Sequence, residues 1–216
     1  MNTETRATPI AEADKMILRS TVTSPYGRKT RMAVLIHKLT DRIDLVPADT
    51  LDETDTIRQQ NPLGKIPCLL LPDGGAIYDS KVIVEYFDSI SDQRPLVPTS
   101  GRARFDVLTR AVLADGITDA ALLMVYEGRF REPAQISERW LAHQRGKIER
   151  ALTAISKAPP PTREADLSSL ALGCALGYLD WRQPVSWRDA HPKLVDWLSE
   201  FSAHEPSFLA TVAPAV

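Results

Sequence analysis

Apolar residues change their spacing part-way along the chain. Up to about residue 88 they fall mostly in short runs. After residue 100 they recur at helical intervals. Met16 to Val22 is a short apolar-leaning run and predicts a first strand. Ser24-Pro25 follows, a helix N-cap ahead of a proline at the first helical position. Met32, Leu35, Ile36 and Leu39 then form an i, i+3, i+4, i+7 stripe. Arg28, Lys29 and Arg31 fall off that stripe and are expected to face solvent or a ligand. Asp44 to Pro47 predicts a second strand, and the polar Thr50 to Gln60 a short helix or mobile loop. Ile66 to Leu71 and Ala76 to Tyr78 flank Pro72-Asp73-Gly74-Gly75, which predicts a β-hairpin. Pro67 cannot donate a ladder hydrogen bond, so it belongs at a strand start, an edge or a bulge. Asp79-Ser80 precedes Val82, Ile83, Tyr86 and Phe87, which marks a helix start and a helix running to about Asp88.

Ser89 to Ser100 carries Pro95 and Pro98 and few apolar residues, and reads as a linker. Beyond it, Phe105, Leu108 and Val112 open one helical stripe, expected to run to about Tyr126. Trp140, Gln144, Ile148, Leu152 and Ile155 mark another, capped by Ser137 and stopped at Pro159 to Pro161. Leu167, Ala171, Cys174 and Tyr178 mark a core helix, and Leu194, Leu198 and Phe201 the last. The predicted architecture is α/β followed by all-α. A flexible extension (1–15) precedes an α/β domain (16–88), a linker (89–100) and a helical domain (101–216). The β-α-β-(α)-β-β-α order of the first domain resembles a thioredoxin-like fold.

A chain of 216 residues can bury a sizeable core. The net charge of −2 gives no reason to expect nucleic acid or a membrane surface as a partner. Cys68 and Cys174 lie far apart, which fits a reducing cytoplasm better than a disulfide framework. No run of about 18 apolar residues predicts a membrane span. Met1 to Asp14 lacks the apolar core of a signal peptide. His37, His143, His191 and His204 show no ligand spacing, so no metal is expected.

The candidate chemistry sits between Asn61 and Ser80. A strand that begins at a proline leaves backbone groups free. The helix start after it is suited to an anion. At this point NPLGKIP (61–67) followed by Asp79-Ser80 resembles the glutathione-binding half of the cytosolic glutathione S-transferases. The run SPYGRKTRMA (24–33) is similar to the serine-type members, such as the plant tau class. The second half looks like small bacterial members, and the resemblance covers Met16 to the C-terminus. It implies a cis peptide before Pro67 and backbone pairing of Ile66 with the cysteinyl part of glutathione. It implies that Asp79 and Ser80 hold the γ-glutamyl carboxylate, and that Lys65 either meets the glycyl carboxylate or is simply solvated. The family's buried helix starts with a capping box ahead of Ala165-Asp166-Leu167. The usual Ser or Thr is Arg163 here, so that box is expected to be incomplete.

A transferase of this kind must make a thiolate near neutral pH, although a free thiol titrates near about 8.5. Lowering that by about 2 units takes about 2.7 kcal/mol. A hydroxyl donor supplies roughly 1.5–3 kcal/mol and a helix N-terminus about 0.3–1. Ser24 is placed to contribute both, or it is only an N-cap. Thr23 and Tyr26 are rival hydroxyls, with Tyr26 also fitted to pack against the helix. Cys68 and Cys174 read as core. Asp115, Tyr126 and Arg129 border the acceptor site or form a solvated helix face. The implied activity is conjugation of glutathione to a small hydrophobic electrophile by a cytoplasmic homodimer. Two alternatives remain. One is a glutathione-dependent thiol transferase or peroxidase, though the thiol transferases need a Cys where Ser24 stands. The other is a transferase-like binding protein without activity.

Overall fold

The computed structural model describes residues 15–214. The extension expected over residues 1–15 falls, but for Lys15, outside the described residues. Four strands form a mixed sheet: β1 (Met16–Ser20), β2 (Ile43–Pro47), β3 (Cys68–Leu70) and β4 (Ala76–Tyr78), in the order β2-β1-β3-β4. β1 pairs parallel with β2 and antiparallel with β3, and β3 pairs antiparallel with β4. Helix α1 (Pro25–Ile36) is the crossover between the parallel strands, as such a pair requires. With α2 (Ile57–Gln60) and α3 (Ser80–Ile90) this is the thioredoxin-like order that the sequence predicts.

The strand predicted from Ile66 begins only at Cys68. Pro67 brings no N–H to the ladder, so pairing starts one residue later. The hairpin turn closes through Leu71 N–H to the Gly75 carbonyl at 2.8 Å and Gly74 N–H to the Leu71 carbonyl at 3.0 Å. Gly74 takes φ 87°, where a side chain would be strained. The Thr50–Gln60 stretch forms a loop and the single turn of α2. Arg19, on β1, anchors it. Its guanidinium reaches Asp55 at 2.8 Å, Thr56 at 3.0 Å and Gln60 at 3.0 Å.

Five helices follow: α4 (Gly101–Phe130), α5 (Glu138–Ile155), α6 (Leu167–Arg182), α7 (Pro192–His204) and α8 (Pro206–Ala210). The expected α4 stripe is corrected. Phe105 is 64% exposed and Val112 54% exposed. The buried face is Val107, Ala111, Ala114, Ile117, Ala121 and Met124. Its alanines let α6 pack close. α6 is buried nearly all round. At Gly173 a Cβ would lie 2.5 Å from the Phe201 ring on α7, so this crossing admits only glycine without repacking. The α6 cap is also corrected. Asp166 is itself the N-cap, its carboxylate accepting from Ser168 and Ser169 N–H, while the Ser169 hydroxyl accepts from Asp166 N–H. The capping box is therefore complete, in a frame three residues on from Arg163.

The segment between α3 and α4 is held in place. The Asp88 carboxylate accepts from Leu96 N–H at 2.7 Å and Val97 N–H at 2.9 Å. Asp88 also lies 3.0 Å from the buried His37 ring at the end of α1. At the other end, Arg28 ties α1 to the last helix. Its Nη2 donates to the Phe208 carbonyl at 2.7 Å, and its guanidinium sits 4.0 Å from the Phe208 ring centroid. Burial lowers its pKa, and no carboxylate pairs with it among the described residues. Arg28 and Lys29 were expected to face solvent or a ligand. Both are buried.

Candidate active site

Strand register gathers the predicted residues at one end of the sheet. Arg19 pairs with Cys68, and Cys68 with Tyr78. These three residues lie side by side. Beyond Arg19 the chain turns into Ser24; before Cys68 lie Ile66 and Pro67; after Tyr78 come Asp79 and Ser80. The antiparallel neighbours thus bring three distant stretches to a common edge.

Ser24 is the N-cap of α1, as predicted. Its Oγ accepts from Gly27 N–H at 3.0 Å, which leaves its proton free to donate elsewhere. Gly27 lets α1 start close to β1: a Cβ there would lie 2.0 Å from the Ser20 hydroxyl and would push that side chain aside. Of the rival hydroxyls, Thr23 is exposed and sits 3.2 Å from the Thr21 hydroxyl. Tyr26 turns away to donate to Asp119 on α4. Burial and then Asp119 raise its pKa, so it stays protonated.

The Ile66–Pro67 peptide is cis. The β1–β3 ladder begins at Cys68, so the backbone of Ile66 lies outside it. Lys65 is exposed, and its carbonyl accepts from the Asn61 side chain at 2.8 Å. Asp79 stands at φ 72°, a left-handed conformation unusual for a non-glycine residue. Its carboxylate accepts from Lys81 N–H at 2.9 Å and caps α3, and it remains exposed. Ser80 is the first residue of α3 and is buried.

Below Ser80 lies a cluster that sequence reasoning missed. Lys29, only 1% exposed, donates to the Ser80 hydroxyl at 3.2 Å and to Asp115 on α4 at 2.5 Å. Burial raises the Asp115 pKa, and Lys29 opposes that rise. Asp115 is thus no part of a solvated face. It joins the helical half to the start of α3. Nothing in the local pattern marks it; the two partners are 86 residues apart.

Cys68 and Cys174 are free and buried, and burial raises both thiol pKa values. Neither is placed to act as a nucleophile. Among the described residues no three His, Cys, Asp or Glu side chains gather as a metal site. Among the same residues no helix is long and apolar enough to cross a membrane.

Residues 23–90 match the family described as glutathione S-transferase, N-terminal domain. Over 204 residues the chain is 32% identical to an uncharacterized GST-like protein, YibF, of Escherichia coli, covering 92% of this chain and 99% of the relative. The chain belongs to the glutathione S-transferase family. Solved structures extend that comparison. A glutathione transferase family member from Pseudomonas fluorescens Pf-5, crystallised with bound glutathione, superposes with a TM-score of 0.85. It is 39% identical and is matched over 93% of this chain and 100% of its own. A glutathione S-transferase from Methylobacillus flagellatus, with glutathione bound, has the same TM-score at 35% identity. That match covers 93% of this chain and 100% of the other. Within this transferase-family chain, the edge defined by Ser24, Ile66, Pro67, Asp79 and Ser80 is the candidate active site.

Proposed function

We propose that this protein binds glutathione along that edge and adds its sulfur to a small electrophile held against the helical half. The observation that carries this reading is the register. Arg19, Cys68 and Tyr78 stand in one row, so a hydroxyl, free strand-edge backbone and a helix start meet at one place. The glutathione seen in related solved structures supports the same ligand. Ile66 supplies backbone pairing for the cysteinyl part, and cis-Pro67 ends the ladder there. Asp79 accepts from the α-ammonium, and Ser80 with its amide donates to the γ-glutamyl carboxylate. Lys65 reaches the glycyl carboxylate. Ser24 donates to the thiolate. In this reading residues 16–88 are the glutathione-binding domain, 89–100 the connector, and 101–216 the domain that supplies the electrophile site. The two free cysteines suit a reducing cytoplasm.

Calorimetry with glutathione tests the γ-glutamyl assignment. Asp79→Ala should weaken binding by about 1.5–3 kcal/mol, the range for a hydrogen bond to a charged group. Asp79→Asn keeps a cap and tolerates the left-handed backbone, yet loses the carboxylate charge. It should weaken binding too, which separates the charge from the cap. Unchanged affinity in both variants would sink the assignment. Conjugation of 1-chloro-2,4-dinitrobenzene by the parent, followed spectroscopically, tests the activity itself. Glutathione binding without any conjugation of this or other electrophiles would favour a non-catalytic binding protein.

We further propose that the protein works as a two-fold dimer. Val82 on α3, 53% exposed, and Phe105 and Val112 on α4 leave apolar surface uncovered. The Arg104–Glu85 ion pair sets these two helices side by side. Sedimentation at micromolar concentration should show a dimer, and Phe105→Glu should shift it toward monomer. A parent that sediments only as monomer would overturn this.

A further inference from the structure

We infer that the electrophile carries a carboxylate, gripped by Arg182 and Arg129 beside the Tyr178 hydroxyl. This rests on the glutathione reading above and adds the substrate's chemical class. On α4, Asp115, Asp119, Tyr126 and Arg129 recur at i, i+4, i+11 and i+14 and so share a face. The first two are committed to Lys29 and Tyr26. Further along the face, Arg129 sits 5.3 Å from the Tyr126 ring centroid. Across from it, α6 presents Tyr178, Trp181 and Arg182. The Tyr178 and Trp181 rings are 6.2 Å apart, and the Arg182 guanidinium lies 3.7 Å from the Trp181 ring centroid. Ser24, Tyr178 and Trp181 line one pocket, so the two α6 rings stand beside the serine.

Burial raises the Tyr178 pKa; Arg182 opposes that, Tyr126 adds to it, and Arg129 opposes it again. Both guanidiniums therefore act on the same phenol. On the helical half Arg104 pairs with Glu85, Arg131 with Glu127 and Arg188 with Asp180. Arg110, Arg139, Arg145 and Arg150 are unpaired, but none of these exposed side chains sits over an aromatic ring among the described residues. Arg129 and Arg182 have no carboxylate partner among the described residues. The Arg182 Nε is also buried without a hydrogen-bond partner.

Two forked cations on aromatic supports make a carboxylate site. A neutral aromatic electrophile would use the rings and leave both charges idle. With an unsaturated acid, the sulfur pair forms the C–S bond at the electron-poor carbon. The alkene pair shifts toward the carboxylate-bearing carbon, which then takes a proton from water. Negative charge grows on the carboxylate during that step, where fixed guanidiniums stabilise it.

The test compares two ligands with the same glutathione half, S-(4-carboxybenzyl)glutathione and S-benzylglutathione, by calorimetry on the full chain. The carboxylated ligand should bind about tenfold tighter or more, from hydrogen bonds to a charged group. That ratio should fall to about one in Arg182→Gln and narrow in Arg129→Gln. Equal affinities in the parent would overturn the inference while leaving glutathione binding intact. A ratio unmoved by both variants would also overturn it. If neither ligand binds, the glutathione reading fails and this inference falls with it.

Discussion

Replacing Lys29 by methionine is expected to lower the unfolding free energy by about 3–5 kcal/mol, the cost of leaving a buried partner charged and alone. The partner is Asp115, whose oxygen lies 2.5 Å from the Lys29 ammonium. Urea unfolding at one protein concentration measures it. The loss should depend on pH with a definite sign. Burial already holds the Asp115 pKa above its ordinary value, and removing Lys29 takes away the charge that opposes the rise. A carboxyl whose folded pKa exceeds its unfolded pKa favours the folded state when protonated. The deficit should therefore be largest well above the carboxylate range. It should shrink as pH falls through that raised folded value. The double replacement Lys29→Met, Asp115→Leu removes both charges and should regain most of the loss. A loss under about 1 kcal/mol, flat with pH, would mean the pair carries little.

The second large effect is on chemistry. Ser24→Ala should raise the apparent thiol pKa of bound glutathione by about 1–2 units, the equivalent of one hydrogen bond to a charged group. Conjugation at neutral pH should then fall about tenfold to a hundredfold. The sign follows from which form reacts. The thiolate is the nucleophile, so activity lost at neutral pH should return as pH rises through the higher thiol pKa. Ser24 also caps α1, and losing a cap costs about 1 kcal/mol of stability. Ser24→Thr keeps cap and donor together and should restore the parent profile. If the pH–rate profile of Ser24→Ala lies over that of the parent, the hydroxyl is a cap alone.

Several parts of this structure are legible without coordinates. The N-caps Ser24, Asp79 and Ser137 are local signals, since each is read against the few residues after it. The hairpin is legible for the same reason, because turn residues act at fixed offsets. Burial of charge is not. Arg28 and Lys29 lie on a helix where polar residues usually mark the solvent face, and only partners from α4 and α8 make their burial tolerable. The α4 stripe misled for a related reason. Two of its large apolar residues, Phe105 and Val112, point outward, while much of its core face is alanine, which gives little periodic signal. The gathering of Ser24, Ile66, Asp79 and Ser80 follows from strand order, a non-local property that spacing alone does not fix.

The hold of Arg28 on Phe208 has a consequence for synthesis. Helix α1 leaves the ribosome long before α8, and the carbonyl that its Arg28 needs lies on α8, 180 residues further along the chain. Until α8 emerges, a guanidinium destined for the interior has no acceptor there and stays hydrated. The sheet can pair early, since its strands lie within the first 78 residues. The seam between α1 and α8 closes only after α8 has emerged. Ribosome-bound chains stopped before Phe208 should therefore show protease cleavage near α1 that the released protein resists.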